Sequence, residues 1–174
     1  MLNFRKAILY SSFTMLPMVT FSQIKPLDVT LSNYQYPFEV HYLDLQSQKQ
    51  NLKMAYMDVK PQKSNGKTIM LLHGKNFNGA YWEKTAKDLS SKGFRVIIPD
   101  QIGFGKSSKP EFYQFSFSQL ADNTKAILDE LKIEKAIVLG HSMGGMVATR
   151  FTLLYPEKVE KLIPDKIKLF NDQQ

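Results

Sequence analysis

The chain has 174 residues, 43% hydrophobic and 22% charged, the balance of a globular domain and not of a disordered or collagen-like polymer. Lys and Arg number 23 against 16 Asp and Glu, a net charge of +7. The excess is spread over lysines such as Lys49, Lys53, Lys60, Lys63, Lys67 and Lys75, without the Arg clusters or interleaved aromatics of a nucleic-acid reader, so no nucleic-acid partner is expected.

Cysteine is absent, which excludes a disulfide framework, a thiolate metal site and a cysteine nucleophile. A histidine metal site would need His41, His73 and His141 together, and no metal or cofactor is expected. From the N-terminus, Met1–Lys6 carries Arg5 and Lys6, residues 7–21 are largely apolar and uncharged, and Thr20-Phe21-Ser22 puts small residues three and one positions before Gln23. That pattern reads as a secretory signal peptide over 1–22. As a membrane anchor the run is too short and is broken by Ser11, Ser12 and Pro17, since about 20 apolar residues are needed to span a bilayer. Cleavage would leave 152 residues, with 21 basic against 16 acidic side chains and a net charge of +5. The expected location is periplasmic or secreted, without stable membrane insertion.

Residues 23–37 hold Pro26, Asn33 and Pro37 with no clean period and read as a lead-in coil. Two β-prone runs, Phe38–Leu43 and Leu52–Val59, flank a polar stretch from Gln46 to Asn51, which predicts an antiparallel hairpin. Thr68–Leu72 is a short continuous apolar run of the kind that a strand buried on both faces requires. A helix over Tyr81–Ser91 is stopped by Lys92-Gly93, and Phe94–Pro99 is a second buried strand. Ser116 with Gln119 gives a capping box for a helix whose apolar face carries Phe117, Leu120, Ala121, Ile127, Leu128 and Leu131. Lys135–Leu139 is a third buried strand and Met143–Tyr155 a third helix, ended by Pro156. The alternation predicts an α/β domain over 38–163 with a mostly parallel sheet and an antiparallel N-terminal hairpin.

The chemistry concentrates where the strand ending at Leu139 meets Gly140-His141-Ser142-Met143-Gly144-Gly145 and a helix. G-x-S-x-G between a strand and a helix is the pattern of a nucleophile elbow, in which a strained turn lifts the serine Oγ above the sheet. Gly140 and Gly144 must then be small so that neighbouring backbones can approach. The competing reading is a glycine-rich turn with an incidental serine; the strand before and the helix after favour the elbow. Strand Thr68–Leu72 ends in His73-Gly74-Lys75, a loop at the carboxyl end of a central strand, where α/β sheets place ligands. It offers the Lys75 backbone N–H beside that of Met143 as an oxyanion hole. His73 reads as a structural residue of that loop and not as a base, and His141 diverges from Ser142 in the turn. Gly74 and His141 are candidate substrate-contacting positions. Gly105-Lys106-Ser107 is set aside as a P-loop, because Asp100 stands where the first glycine belongs and no helix opens after Ser107.

His73-Gly74, Asp100 to Ser107 and Gly140 to Gly145, in this order, resemble the α/β-hydrolase fold superfamily over about residues 38–162. The resemblance implies that Ser142 is a nucleophile, that the Lys75 and Met143 amides form the oxyanion hole, and that Asp100 and Gly103–Gly105 shape the loop after the fourth strand. It also implies acyl-type hydrolysis of a small-molecule substrate, the candidate bonds being esters, amides, N-terminal peptides or the C–C bonds that relatives cut. Family members supply the acid and the histidine of the triad after the elbow, whereas no histidine follows His141 here. Pro164 is expected to break the last strand, leaving 164–174 as an aberrant tail, and Asp165 has no base to orient. The expectation is the N-terminal part of an exported serine hydrolase, truncated and not competent by itself. The alternatives are a miniature enzyme drawing a base from His41, His73 or a partner chain, and a non-catalytic binding protein.

Overall fold

The computed structural model describes residues 26–165; the expected signal peptide and residues 166–174 lie outside them. Six strands form one sheet: β1 (Val40–Ser47), β2 (Gln50–Val59), β3 (Thr68–Leu72), β4 (Arg95–Pro99), β5 (Ala136–His141) and β6 (Val159–Asp165), in the spatial order β1-β2-β4-β3-β5-β6. The β1–β2 and β2–β4 pairs are antiparallel, and β4–β3, β3–β5 and β5–β6 are parallel. This is the mostly parallel sheet with an antiparallel N-terminal hairpin that the alternation of elements predicts. Three helices complete it, α1 (Glu83–Ser91), α2 (Phe117–Glu130) and α3 (Met143–Leu154).

The continuous apolar runs are explained by burial on both faces. Along β3, Ile69 and Leu71 join a core with Val96, Ile98, Trp82 and, from α1, Ala86. Met70 and Leu72 point the other way, into a larger core with Ile97, Val138 and the α2 and α3 residues Ile127, Val147 and Phe151. Successive strand side chains alternate between faces, so a strand covered twice has no position for a polar residue.

Three elements differ from expectation. The polar stretch at the hairpin is not a loop: β1 and β2 pair through to Ser47↔Gln50, and the connection is only Gln48-Lys49, both at positive φ of 50° and 62°. A two-residue turn with both residues left-handed matches the twist of the flanking strands. Its polar side chains are used further away, with Gln48 Nε2 donating to the Gln114 carbonyl at 2.8 Å and Gln48 Oε1 accepting from Gln114 N–H at 2.9 Å. The first helix begins later than Tyr81, because Gly79–Trp82 forms a 3₁₀ turn capped by the Asn78 side chain, which accepts from Ala80 N–H.

The third correction is at Pro164, which does not break the last strand: β6 pairs with β5 through Gly140↔Pro164 and His141↔Asp165. Backbone polar groups of alternate strand residues point to opposite sides. The Asp165 carbonyl accepts from Ser142 N–H on the β5 side at 3.0 Å, so the Pro164 nitrogen faces away from β5 and its missing N–H removes no bond from that ladder. Among the described residues, no helix is long and apolar enough to cross a membrane.

Phe151 has no exposed surface and lies where α3 packs on the larger core. Phe151→Ala should lower the free energy of unfolding by about 3–5 kcal/mol, read as a shift of the urea midpoint at unchanged slope.

Candidate active site

Ser142 joins β5 to α3 with φ 54° and ψ −118°, a left-handed backbone that non-glycine residues adopt rarely and at a cost of about 1–3 kcal/mol. The surroundings enforce it. A Cβ on Gly140 would lie 2.1 Å from the Gly144 carbonyl oxygen, and one on Gly144 would lie 2.2 Å from the Leu72 carbonyl oxygen. The end of β3 and the start of α3 therefore touch backbone to backbone. At the first turn of α3, the N–H groups of Gly145 and Met146 donate to the Ser142 carbonyl at 2.9 and 3.2 Å. The amides of Met143 and Gly144 precede them at the positive end of the helix, where a first-turn amide has no acceptor within the helix.

The other candidates gather against this turn. A Cβ on Gly74 would be 3.2 Å from His141 Nδ1 and 3.4 Å from Ser142 Cβ, which brings the Gly74-Lys75 loop to the elbow. Lys75 is exposed, and the loop closes behind it through Phe77 N–H donating to the Gly74 carbonyl at 3.2 Å. His141 packs edge-on to Phe77 and Tyr81, with ring centroids 6.3 and 6.2 Å away, and its Nδ1 is buried without a hydrogen-bond partner. Burial raises the Tyr81 phenol well above its ordinary value.

The remaining imidazoles are committed elsewhere. His73 is fully buried; its Nε2 accepts from Gln101 N–H at 2.9 Å, which fixes the Nδ1–H tautomer, and Nδ1 donates to the Gly74 carbonyl at 2.8 Å. The structural role read for it from the sequence is the one its geometry performs. His41 lies on β1, stacked obliquely on Tyr56 at 5.5 Å. Three strands separate β1 from β5, roughly 19 Å at 4.8 Å per strand.

Asp100 organises more of the site than the sequence discloses. It is 1% exposed. Oδ1 accepts from Gly79 N–H at 2.6 Å, and Oδ2 accepts from Tyr36 O–H at 2.6 Å and Lys106 N–H at 2.7 Å. A Cβ on Gly105 would fall 2.0 Å from Oδ2, so glycine is required there. Burial, and then the proximity of this carboxylate, hold the Tyr36 phenol far above its ordinary range. Ser107 is buried, donating to the Asp100 carbonyl at 2.6 Å and accepting from Ala55 N–H at 2.8 Å, which disposes of any phosphate-loop role for Gly105-Lys106-Ser107. Tyr36 lies in the segment read as lead-in coil, and no local pattern marks it.

Beside the elbow is a cavity of about 570 Å³, walled by Gly103, Phe104, Phe115, Phe117 and Leu120, with Lys75 and Met143 on the side of Ser142.

A family model described as alpha/beta hydrolase fold matches residues 67–169. The chain is 39% identical over 102 residues to the AB hydrolase superfamily protein YfhM of Bacillus subtilis (strain 168), covering 58% of this chain and 36% of that protein. It is 35% identical over 101 residues to the 2-hydroxymuconate semialdehyde hydrolase of Pseudomonas sp. (strain CF600), covering 56% of this chain and 35% of that one. A solved structure described as a probable hydrolytic enzyme of Pseudomonas aeruginosa PAO1 superposes with a TM-score of 0.75 at 57% identity, over 76% of this chain and 43% of its own. The chain thus spans less than half the length of each of these three proteins.

Gly144→Ala should destabilise the protein by at least about 3 kcal/mol, because backbone must move to admit the methyl. Gly66→Ala, at φ 80° with nothing within 4 Å, should cost only about 1–2 kcal/mol of backbone strain; equal losses in urea unfolding would contradict the close approach. Burial lowers the His73 imidazole below its ordinary value of 6.5. Below pH 6.5 the unfolded chain takes up a proton that the native protein refuses, so stability falls on acidification until the folded-state value is reached. This group contributes at most about 1.4 kcal/mol per pH unit. Urea midpoints should drop through that window, and His73→Gln should flatten the slope.

Proposed function

The chain belongs to the α/β-hydrolase fold family, and from that premise we propose that it is the nucleophile-bearing part of an exported serine hydrolase acting on ester, amide or related acyl bonds. The observation that carries this reading is the left-handed backbone of Ser142, held where Gly140 and Gly144 leave no room for a methyl group. Strain of this kind persists only where the surroundings over-determine it, and here it lifts a hydroxyl at the head of a helix.

The chemistry assigned to the site is acyl transfer. Ser142 Oγ attacks the substrate carbonyl carbon, its proton passes to a base, and the carbonyl oxygen gains negative charge. The amides of Lys75 and Met143 donate to that oxyanion, aided by the positive end of α3. Collapse breaks the bond to the leaving group, which takes the proton, and water later releases the acyl group from Ser142. Gly74 and His141 contact the substrate on this reading. The base is the weak point: His73 spends both ring nitrogens on Gly74 and Gln101, His41 is on the far edge strand, and His141 is adjacent to Ser142 in a turn that drives side chains apart. This chain by itself is therefore assigned a slow Ser142, with only the rate that an oxyanion hole supports. The same observation favours a second reading, a binding protein that keeps the fold without turnover. Export rests on residues 1–22, and N-terminal sequencing of the protein from the producing cell should begin at Gln23.

A fluorophosphonate probe should form one adduct, mapping to Ser142 and absent in Ser142→Ala and in urea-unfolded protein. Formation should be slow, and added imidazole should accelerate it by supplying the proton acceptor. A folded protein that never labels, with or without imidazole, would favour the binding reading.

A further inference from the structure

A separate cavity of about 460 Å³ opens at the other end of the sheet from Ser142, where Val59 closes β2 opposite Val96 near the start of β4. Its floor is Phe38 and Val59, half-buried side chains that pack on the smaller core. Its walls are cationic. Lys60 and Lys63 come from the loop after β2, and Lys87 comes from α1, with Ser90 one turn further on the same helix face. No carboxylate is among the lining residues. Lys60 and Lys63 have no ion-pair partner among the described residues. Lys87 has an exposed pair with Glu83 at 2.5 Å, of a kind that contributes little in water. The volume falls within the range of small-molecule sites.

Backbone contacts fix the two walls relative to each other. A Cβ on Gly93 would lie 2.9 Å from the Lys63 carbonyl oxygen, Asn65 N–H donates to the Gly93 carbonyl at 2.9 Å, and Asn65 Nδ2 donates to the Lys92 carbonyl at 3.1 Å. The lysine-bearing loop is thereby fastened to the end of α1. The last carbonyls of that helix are engaged as well, Leu89 accepting from Lys92 and Phe94 N–H and Ser90 from Gly93 N–H, which leaves the negative helix end capped. We propose that this cavity binds an anion with an apolar body, a phosphomonoester of an alkyl or aryl group, with its phosphate among Lys60, Lys63 and Lys87 and its carbon on Phe38 and Val59. Three like charges around one space repel, and a phosphate relieves that repulsion while its oxygens accept charge-assisted hydrogen bonds from the ammonium groups. Carbon laid on the floor covers apolar surface that folding leaves in water. A neutral ligand of the same shape gains only the second contribution, and a cation adds to the repulsion. The site owes nothing to Ser142 and stands whether or not that serine is a nucleophile.

Alkyl phosphates from methyl to hexyl, titrated into the full chain at low ionic strength and followed by backbone amide shifts in NMR spectra, test this. Shifts should saturate and fall on residues 60–65 and 87–93, and hexyl phosphate should bind about tenfold more tightly than methyl phosphate. Hexanol should bind more weakly than hexyl phosphate, and hexyltrimethylammonium should leave these amides unmoved. Raising the ionic strength past about 0.1 M should weaken the phosphates. The double variant Lys60→Gln with Lys63→Gln, at two exposed positions, should weaken hexyl phosphate about tenfold. Lys49→Gln with Lys53→Gln removes the same charge from the β1–β2 hairpin and should change its affinity less than about twofold. Sedimentation with phosphatidic acid vesicles separates two sources of the same chemistry: vesicle binding displaced by hexyl phosphate upholds the site with a lipid head group as its ligand, and hexyl phosphate binding without vesicle binding upholds it with a soluble phosphomonoester. Shifts that never saturate, shifts at residues 115–120 in place of 60–65, or equal weakening by the two double variants would overturn the proposal.

Discussion

The site depends on two backbones lying closer than a methyl group allows. Gly144, in the first turn of α3, sits against the Leu72 carbonyl at the end of β3, and Gly140, near the end of β5, sits against Gly144 itself. Because β3 and β5 are parallel neighbours, their carboxyl ends emerge side by side, and the chain leaving β5 must turn sharply to enter a helix over the same sheet. With glycine at both positions the turn closes, and Ser142 between them absorbs the bend as a left-handed φ. Ser142 itself is exposed, and the residues two positions to either side of it carry no side chains. The same contact sets Gly74 and the start of its loop against the turn.

A second layer of constraint holds that loop, and it is polar and buried. Asp100 collects donors from Tyr36, Gly79 and Lys106, three segments that share no secondary structure, while His73 bridges the ends of β3 and β4 through Gln101 N–H. A buried carboxylate left without donors would cost several kcal/mol, so each donor segment is held as firmly as the charge demands. Lys106 extends the arrangement, its ammonium 5.1 Å from the centre of the Tyr36 ring. The loops at this end of the sheet are thereby fixed by charge and hydrogen bonds, where the strands beneath are fixed by apolar packing.

Local patterns were legible in the sequence and remote partnerships were not. Thr68–Leu72 and the Gly140–Gly145 turn declare themselves because their signals, an unbroken apolar run and paired glycines around a serine, lie within a few residues. Ser116 announces α2 for the same reason, and its Oγ does accept from Gln119 N–H. Tyr36 gave no signal, because its meaning lies in a carboxylate 64 residues away and a tyrosine near two prolines is unremarkable by itself. The Gln46–Asn51 stretch marks the hairpin correctly, but the pairing of its Gln48 side chain with Gln114 is a contact that composition cannot foretell. Pro164 misled because whether a proline breaks a ladder depends on which side its nitrogen faces, and that parity is set by register with β5 and not by the residue.

The two layers also explain how a carbon-lined cavity and a network of buried polar groups coexist at one end of the sheet. Phe104 belongs to both: its ring packs edge-on to His73 at 5.5 Å and its other surface walls the cavity. Gly103, at φ 93°, lets Phe104 follow in that position, and a Cβ there would strike the Phe115 ring at 2.9 Å. The polar groups of the loop are thus turned inward to Asp100 and His73, and the surface that remains toward Ser142 is aromatic. If Ser142 acts as proposed, this apolar wall stands beside the oxyanion that forms there. Excluding water from that side lowers the local dielectric, and an N–H donor aimed at negative charge is stronger there than in water.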